Sequence, residues 1–350
     1  AGAAQGRGAP RPLMAPLDRR VSFDHGPESN RPRARRILPR VPHCLMPRIR
    51  LSILTACLLS GLVACGRAGS PGGLEGTVRS DGSSTLFPVA EALAEDFQRE
   101  HPEVRVTVGR SGSAGGMALL CDGEIDLAYL SREPVDSEWE ACRDAGIEPV
   151  VLPVALDGLT VVTHAENTFV ACLTLGELAA IWEPGSAVRS WRDVRPEFPE
   201  RELQLYGAGP ASGTFDTFTR VIVGRRGASR TDFQASEDDN VLVRGVAGDP
   251  GALGYFGFGY AIAHRSEVRI LGVDGGSGCV IPTPESIVDG SYVPLTRPLY
   301  MVAAASALER AEVRGYLLWF FERATELVRE VGSIPLPPDA YAAAARQVGA

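Results

Sequence analysis

The sequence predicts an α/β protein whose two lobes close on a ligand cleft. Three observations carry this expectation. Apolar stretches with strand period alternate with stretches of helical period over most of residues 77–350. Loops rich in Gly, Ser and Thr recur around the starts of helical patterns, at Asp81–Pro88, Ser111–Gly116, Leu130–Arg132 and Ala211–Thr214. The strand–loop–helix pattern restarts near residue 203, after extended crossings, which divides the chain into two such units.

Taken in order, Thr77–Ser80 is a short strand entering the first loop. Val89, Leu93 and Phe97 then fall at i, i+4 and i+8 of an amphipathic helix that His101-Pro102 stops. Val104, Val106 and Val108 alternate with polar residues as a strand. A helix opens at Met117, Ile125–Leu130 is a strand, Asp136–Ala145 a helix and Glu148–Val154 a strand. Leu159–Thr163 is read as a further, separate strand, and Thr174 caps a helix over Leu175–Trp182. The restart comprises strand Leu203–Tyr206, helix Thr214–Val223, and a helix through Val246 whose Ser236 and Asp239 are placed as a capping box. Leu253–Gly259 and Pro294–Ala303 read as strands and Ala307–Arg329 as a long helix. No internal repeat is strong enough to assign.

The 350 residues suffice for two domains, and 45% hydrophobic content supports a packed core. Formal charge is −8, unevenly spread: residues 1–50 hold eleven Arg against three acids, leaving the remainder near −16. An acidic body argues against a nucleic-acid partner. The chain has no Lys, which excludes a P-loop nucleotide site. No G-x-S-x-G elbow occurs, and none of His101, His164 or His264 stands beside a candidate nucleophile in sequence, so an enzyme such as a secreted hydrolase is disfavoured.

Residues 1–45, rich in Pro, Arg and Gly, read as a disordered or untranslated extension. Residues 46–65 read as a lipoprotein signal peptide, with Arg48 and Arg50 before the apolar run Leu51–Val63. Leu62-Val63-Ala64-Cys65 resembles a lipobox, making Cys65 the lipidation site, with 66–76 as a tether. Of the seven cysteines, Cys121, Cys142, Cys172 and Cys279 remain in the body. Their spacing suits no zinc motif, and an even number in an exported chain indicates two disulfides. Three connectivities exist; Cys121 with Cys142 and Cys172 with Cys279 is favoured, because each pair then lies within one domain.

The recurrent loops share one chemistry. The start of a helix presents unpaired N–H groups and the positive end of its dipole, which attract anions. Four such loops in one chain point to a shared oxyanion site.

Several strings resemble the phosphate-binding protein PstS family: Asp81–Pro88, Gly123–Leu127 leading to Ser131-Arg132, and Leu175–Pro184. The most specific run is Ser212–Thr219, continuing through Gly227–Asp232, Ala235–Asn240 and Gly251–Phe256. The resemblance covers roughly residues 77–340. It implies a two-lobed periplasmic-binding-protein fold of type II with phosphate in the interlobe cleft. The lobes would be 77–160 with 295–350, and 161–294. It implies a non-catalytic, monomeric solute-binding protein, without cofactor, that delivers phosphate to ABC permease subunits. The protein would be exported and held at the cell envelope by its N-terminal lipid. Another oxyanion, or a sensing role on the same fold, is the alternative.

Carried over by position, Ser84, Thr85 and Leu86 would bind phosphate at the first helix and Ser113 at the second. Ser131 would bind at a strand end with Arg132 as the nearby cation. Ser212, Gly213 and Thr214 would bind from the second lobe. Two departures stand out. The loop Gly207–Ala211 carries no charge, and Ser131 sits where some relatives have an acid that accepts the ligand's proton. Asp81, Glu133 and Asp216 are the acids nearest in sequence, and unless an acid enters the cleft sulfate should compete with phosphate.

Overall fold

The structure, a computed structural model, describes residues 73–349. The extension 1–45, the signal peptide with Cys65, and most of the tether lie outside the described residues.

Strand β1 (Gly76–Gly82) leads to helix α1 (Phe87–Glu100), β2 (Val104–Val108), α2 (Gly112–Cys121), β3 (Leu127–Leu130) and α3 (Asp136–Asp144). The apolar spacing of α1 works as the sequence suggests: Val89, Leu93 and Phe97 are fully buried. The long strand β4 (Pro149–His164) follows, then β5 (Cys172–Thr174), α4 (Leu175–Trp182) and α5 (Trp191–Val194). Thr174 accepts from the Glu177 N–H while Glu177 reaches back to the Thr174 N–H, closing a capping box on α4. Then come β6 (Gln204–Ala208), α6 (Gly213–Phe218), β7 (Gln234–Ser236), α7 (Asp239–Gly248), β8 (Ala252–Gly257) and α8 (Phe258–Ala263). The short elements β9 (Val268–Ile270), β10 (Gly272–Asp274), β11 (Cys279–Val280) and α9 (Pro284–Val288) precede β12 (Thr296–Ala304), α10 (Ala311–Glu330) and α11 (Pro338–Val348).

The main sheet runs β2-β1-β3-β12-β4-β8-β6-β7, with β9 on β4. β1 pairs in parallel with β2 and β3, as crossover helices require, whereas β12 is antiparallel to both β3 and β4. β4 belongs to both lobes. Its first part, to Gly158, pairs with β12, and its last part, from Leu159, pairs with β8. The core divides accordingly. One cluster draws on residues 78–155 and 299–348; two others draw on residues 159–295, with Ile334. Disulfides join Cys121 to Cys142 and Cys172 to Cys279. The first ties α2 to α3 and the second ties β5 to β11.

Five expectations are corrected. The helix read as opening at Met117 begins at Gly112, so Ser113 lies in its first turn rather than in the loop before it. The two strands read at 148–154 and 159–163 are one continuous strand, because Gly158 continues the extended ladder and its bare Cα lets Ile287 and Tyr292 pack against it. The helix read over 214–223 ends at Phe218 and widens into a π-turn over Thr219–Val223 that closes on left-handed Gly224. Asp238, not Ser236 with Asp239, caps α7, its carboxylate accepting from the Asn240 N–H at 2.9 Å. The helix read from Ala307 begins at Ala311, behind a 3-10 turn over Ala305–Glu309.

Gly82 ends β1 and launches the first anion loop. Its φ of +141° is a conformation that side chains resist, and a Cβ there would lie 2.2 Å from the Tyr129 carbonyl oxygen. That carbonyl accepts from the Ser83 N–H at 2.8 Å, which fixes the loop against β3. Gly82→Ala should therefore lower unfolding stability by roughly 1–3 kcal/mol. A urea midpoint equal to that of the unaltered protein would contradict this reading of the loop.

Candidate functional site

The site forms where β4 and β12 cross between the lobes. Register places Arg297 on β12 directly opposite Asp157 on β4. Arg297 donates from Nε at 3.0 Å and from Nη2 at 2.8 Å to Asp157 Oδ2, and the Phe258 N–H donates to Asp157 Oδ1 at 3.0 Å. Both residues are about 95% buried. Nη2 also donates to Thr214 Oγ1 at 2.9 Å and reaches Thr85 Oγ1 at 3.4 Å; those two hydroxyls lie 3.2 Å apart. Nη1 is buried without a partner. A guanidinium with a free N–H pair, held among hydroxyls from both lobes, is a donor set for an oxyanion.

The predicted residues fall into three groups. Thr85, Ser113, Ser131, Ser212, Gly213 and Thr214 come together at the facing ends of α1, α2, β3 and α6. Ser113 Oγ lies 3.3 Å from Ser131 Oγ and accepts the Ser131 N–H at 3.0 Å. Ser212 caps α6 by accepting the Thr214 N–H at 3.0 Å. Gly213 packs against the serines so closely that a Cβ would lie 2.5 Å from Ser113 Oγ and 2.7 Å from Ser131 Oγ. Ser84 and Leu86 form the second group and serve the surrounding frame. The Ser84 carbonyl accepts from Tyr260 Oη at 3.1 Å, and the Leu86 side chain is fully buried while its N–H donates to Ser83 at 3.2 Å.

Arg132 is the third case. Its guanidinium pairs with Glu138 at 2.6 Å and with Asp216 of α6 at 2.5 Å, so it ties the lobes together. Arg132 still lies beside the serines, its Cγ 2.9 Å from where a Cβ on Gly213 would sit, and Arg297, which no motif marks, is a second cation at the hydroxyls. Other contacts bridge the lobes as well: Ala114 N–H to the Ala211 carbonyl at 3.0 Å, and Arg110 to Asp238 at 2.9 Å. The cleft is thus closed.

The acids nearest in sequence are already engaged. Asp81 accepts from the Ser111 N–H and hydroxyl, Asp216 from Arg132, and Glu133 from Tyr300 Oη. Two acids that sequence reading missed enter instead, Asp157 and Asp239. A signal existed for neither: Asp157 sits in an apolar strand and Asp239 in a run of acids before a helix. Among the described residues no cluster of His, Cys, Asp or Glu is arranged to hold a metal.

Asp239 opens α7, is 1% exposed, and has no partner on either carboxylate oxygen. Burial pushes its carboxyl up to about 7. Arg297 pulls the other way, while Asp157 and Asp238 add to the rise. The folded protein therefore holds a proton that the unfolded chain releases from about pH 4. The contribution of Asp239 to stability should fall as pH rises from about 4 to 7 and level off above that. Asp239→Asn should relieve this cost, with a gain on the order of 2 kcal/mol greater at pH 8 than at pH 5. Denaturant titration at both pH values checks it; an equal gain at both would mean that Asp239 stays ionised in the fold.

Residues 68–324 match the PBP superfamily domain. Protein SphX of Synechococcus elongatus is 42% identical over 273 residues, 77% of this chain and 80% of that protein. The phosphate-binding protein PstS of Staphylococcus saprophyticus is 33% identical over 292 residues, 82% of this chain and 88% of its own. The crystal structure of a possible phosphate binding protein from Planctomyces limnophilus matches with a TM-score of 0.60 at 40% identity, over 79% of this chain and 98% of that one. A substrate-binding protein from Clostridium perfringens, named for a phosphate ABC transporter and crystallised with bound phosphate, gives a TM-score of 0.63 at 25% identity, over 75% and 100%. The two-lobed α/β frame, the paired loops facing across its cleft and these relatives lead to one conclusion: the chain belongs to the PBP superfamily and, within it, to the PstS family.

Proposed function

We propose that the protein binds inorganic phosphate between its lobes and passes it to the permease of an ABC importer, without catalysing a reaction. The observation that carries this reading is Arg297, a buried cation with an unused N–H pair set between Thr85 and Thr214. Hydroxyls and N–H groups from Ser113, Ser131, Ser212 and Gly213 complete the donor set. Neutral donors around a single cation, itself half-neutralised by Asp157, bind an oxyanion at less desolvation cost than a cluster of free charges. The lobes, read as 77–160 with 295–350 and 161–294, close around the ligand through the interlobe contacts. Ser84, Leu86 and Arg132 then act by positioning loops and lobes.

Delivery to a permease fits an exported protein tethered by lipid at Cys65, acting as a monomer at the cell envelope. Among the described residues no helix is long and apolar enough to cross a membrane. A sulfate-binding role is the second reading, favoured by the uncharged loop Gly207–Ala211 and by Ser131.

Calorimetric titration of the ligand-stripped protein with phosphate, arsenate and sulfate separates these readings. Phosphate should bind, and sulfate should compete only in large excess if Asp157 or Asp239 accepts the ligand's proton. Thr214→Val should weaken phosphate binding about ten- to a hundredfold, the worth of roughly 1.5–3 kcal/mol for one hydrogen bond to a charged group. Gly213→Ala should do at least as much by holding α6 away from Ser113 and Ser131, while leaving the thermal midpoint near that of the parent. Binding of neither anion would reduce the family membership to a likeness of fold.

A further inference from the structure

A cavity of about 400 Å³ adjoins the site on one side of the lobe junction. Its wall carries four arginines, Arg132, Arg220, Arg226 and Arg297, against a single acid, Glu133. Both lobes contribute: Arg132 and Glu133 follow β3, Arg220 lies in the π-turn after α6, and Arg226 in the loop beyond it. Glu133 is held by the Tyr300 hydroxyl at 3.0 Å. The acids that match Arg132 and Arg297, namely Glu138, Asp216 and Asp157, are not part of the wall.

Arg220 and Arg226 are a different kind of residue from the other two. Both are exposed, and among the described residues neither has an acid within ion-pair distance. Two guanidiniums without an ion-pair partner thus stand at one opening of a body whose net charge beyond residue 50 is near −16. An anion approaching such a body is repelled overall. Within a Debye length of about 8–10 Å, however, the nearest charges dominate what it feels. Arg220 and Arg226 stand at the solvent side, and Arg297, with its free N–H pair, stands at the inner end.

We propose that this cavity is a capture vestibule: Arg220 and Arg226 draw the phosphate dianion to the opening and hand it inward to Arg297. The vestibule sets how fast the ligand arrives, and the hydroxyl site sets how long it stays. This rests on the phosphate reading above.

Rapid mixing of radiolabelled phosphate with the full chain, at low and high salt, tests the proposal. The double variant Arg220→Gln with Arg226→Gln should lower the association rate about tenfold at low salt, within the range of electrostatic steering. It should flatten the salt dependence and leave the dissociation rate unchanged. A control variant, Arg99→Gln with Arg105→Gln, makes the same change in net charge away from the cavity and should leave the association rate near that of the parent. An association rate unaltered in the first variant, or lowered equally in both, overturns the vestibule alone. Absence of phosphate binding by the unaltered chain overturns the functional reading and the vestibule with it.

Discussion

The contact on which the site depends is the cross-strand pair Arg297–Asp157. Two strands carry the chain between the lobes at this point, and their register sets a guanidinium against a carboxylate inside the protein. Burying such a pair costs several kcal/mol per ion, recovered only where geometry and further hydrogen bonds are good. Here Asp157 accepts three N–H donors, from Nε and Nη2 of Arg297 and from Phe258. Arg297 is left with the N–H pair of Nη1 unpartnered. The deficit is where a bound oxyanion would add most, since an unpaired buried donor gains more from a charged acceptor than an exposed one does.

The arrangement also explains why the two lobes can act as one device. Thr85 belongs to the first anion loop and Thr214 to α6, yet both hydroxyls meet the same Nη2. Arg132 repeats the pattern at the edge of the cleft by pairing with Glu138 on its own side and Asp216 on the other. Closure is thus built from polar contacts between preformed loops, while the apolar cores, Ile334 apart, divide between the lobes. Such contacts are modest singly and sensitive to what lies between the lobes, as a ligand-biased equilibrium requires. Asp239 adds a cost of its own, because a buried carboxyl without a partner favours its protonated form.

Local sequence carried the α/β alternation, the helix faces, the Thr174 cap and the segments that bear Thr85, Ser113, Ser131 and Ser212–Thr214. These depend on local rules: apolar period, capping geometry, and the small residues that tight turns need. The preferred cysteine pairing was legible for a related reason, since each pair joins elements of one core. Tertiary structure alone decided the cation and the acids of the site. Thr296-Arg297-Pro298 reads as an ordinary strand start, and only the β4–β12 register, across 140 residues of chain, brings Arg297 to Asp157. Arg132, next to a recognisable serine, is paired with Glu138 and Asp216, neither of which any motif connects to it. Asp239 reads as one of several acids that suit a helix start, and its burial without a partner is visible only in three dimensions. Local patterns fix where donors sit along each loop; which charges face them depends on pairings between distant strands, and no window of sequence contains both partners.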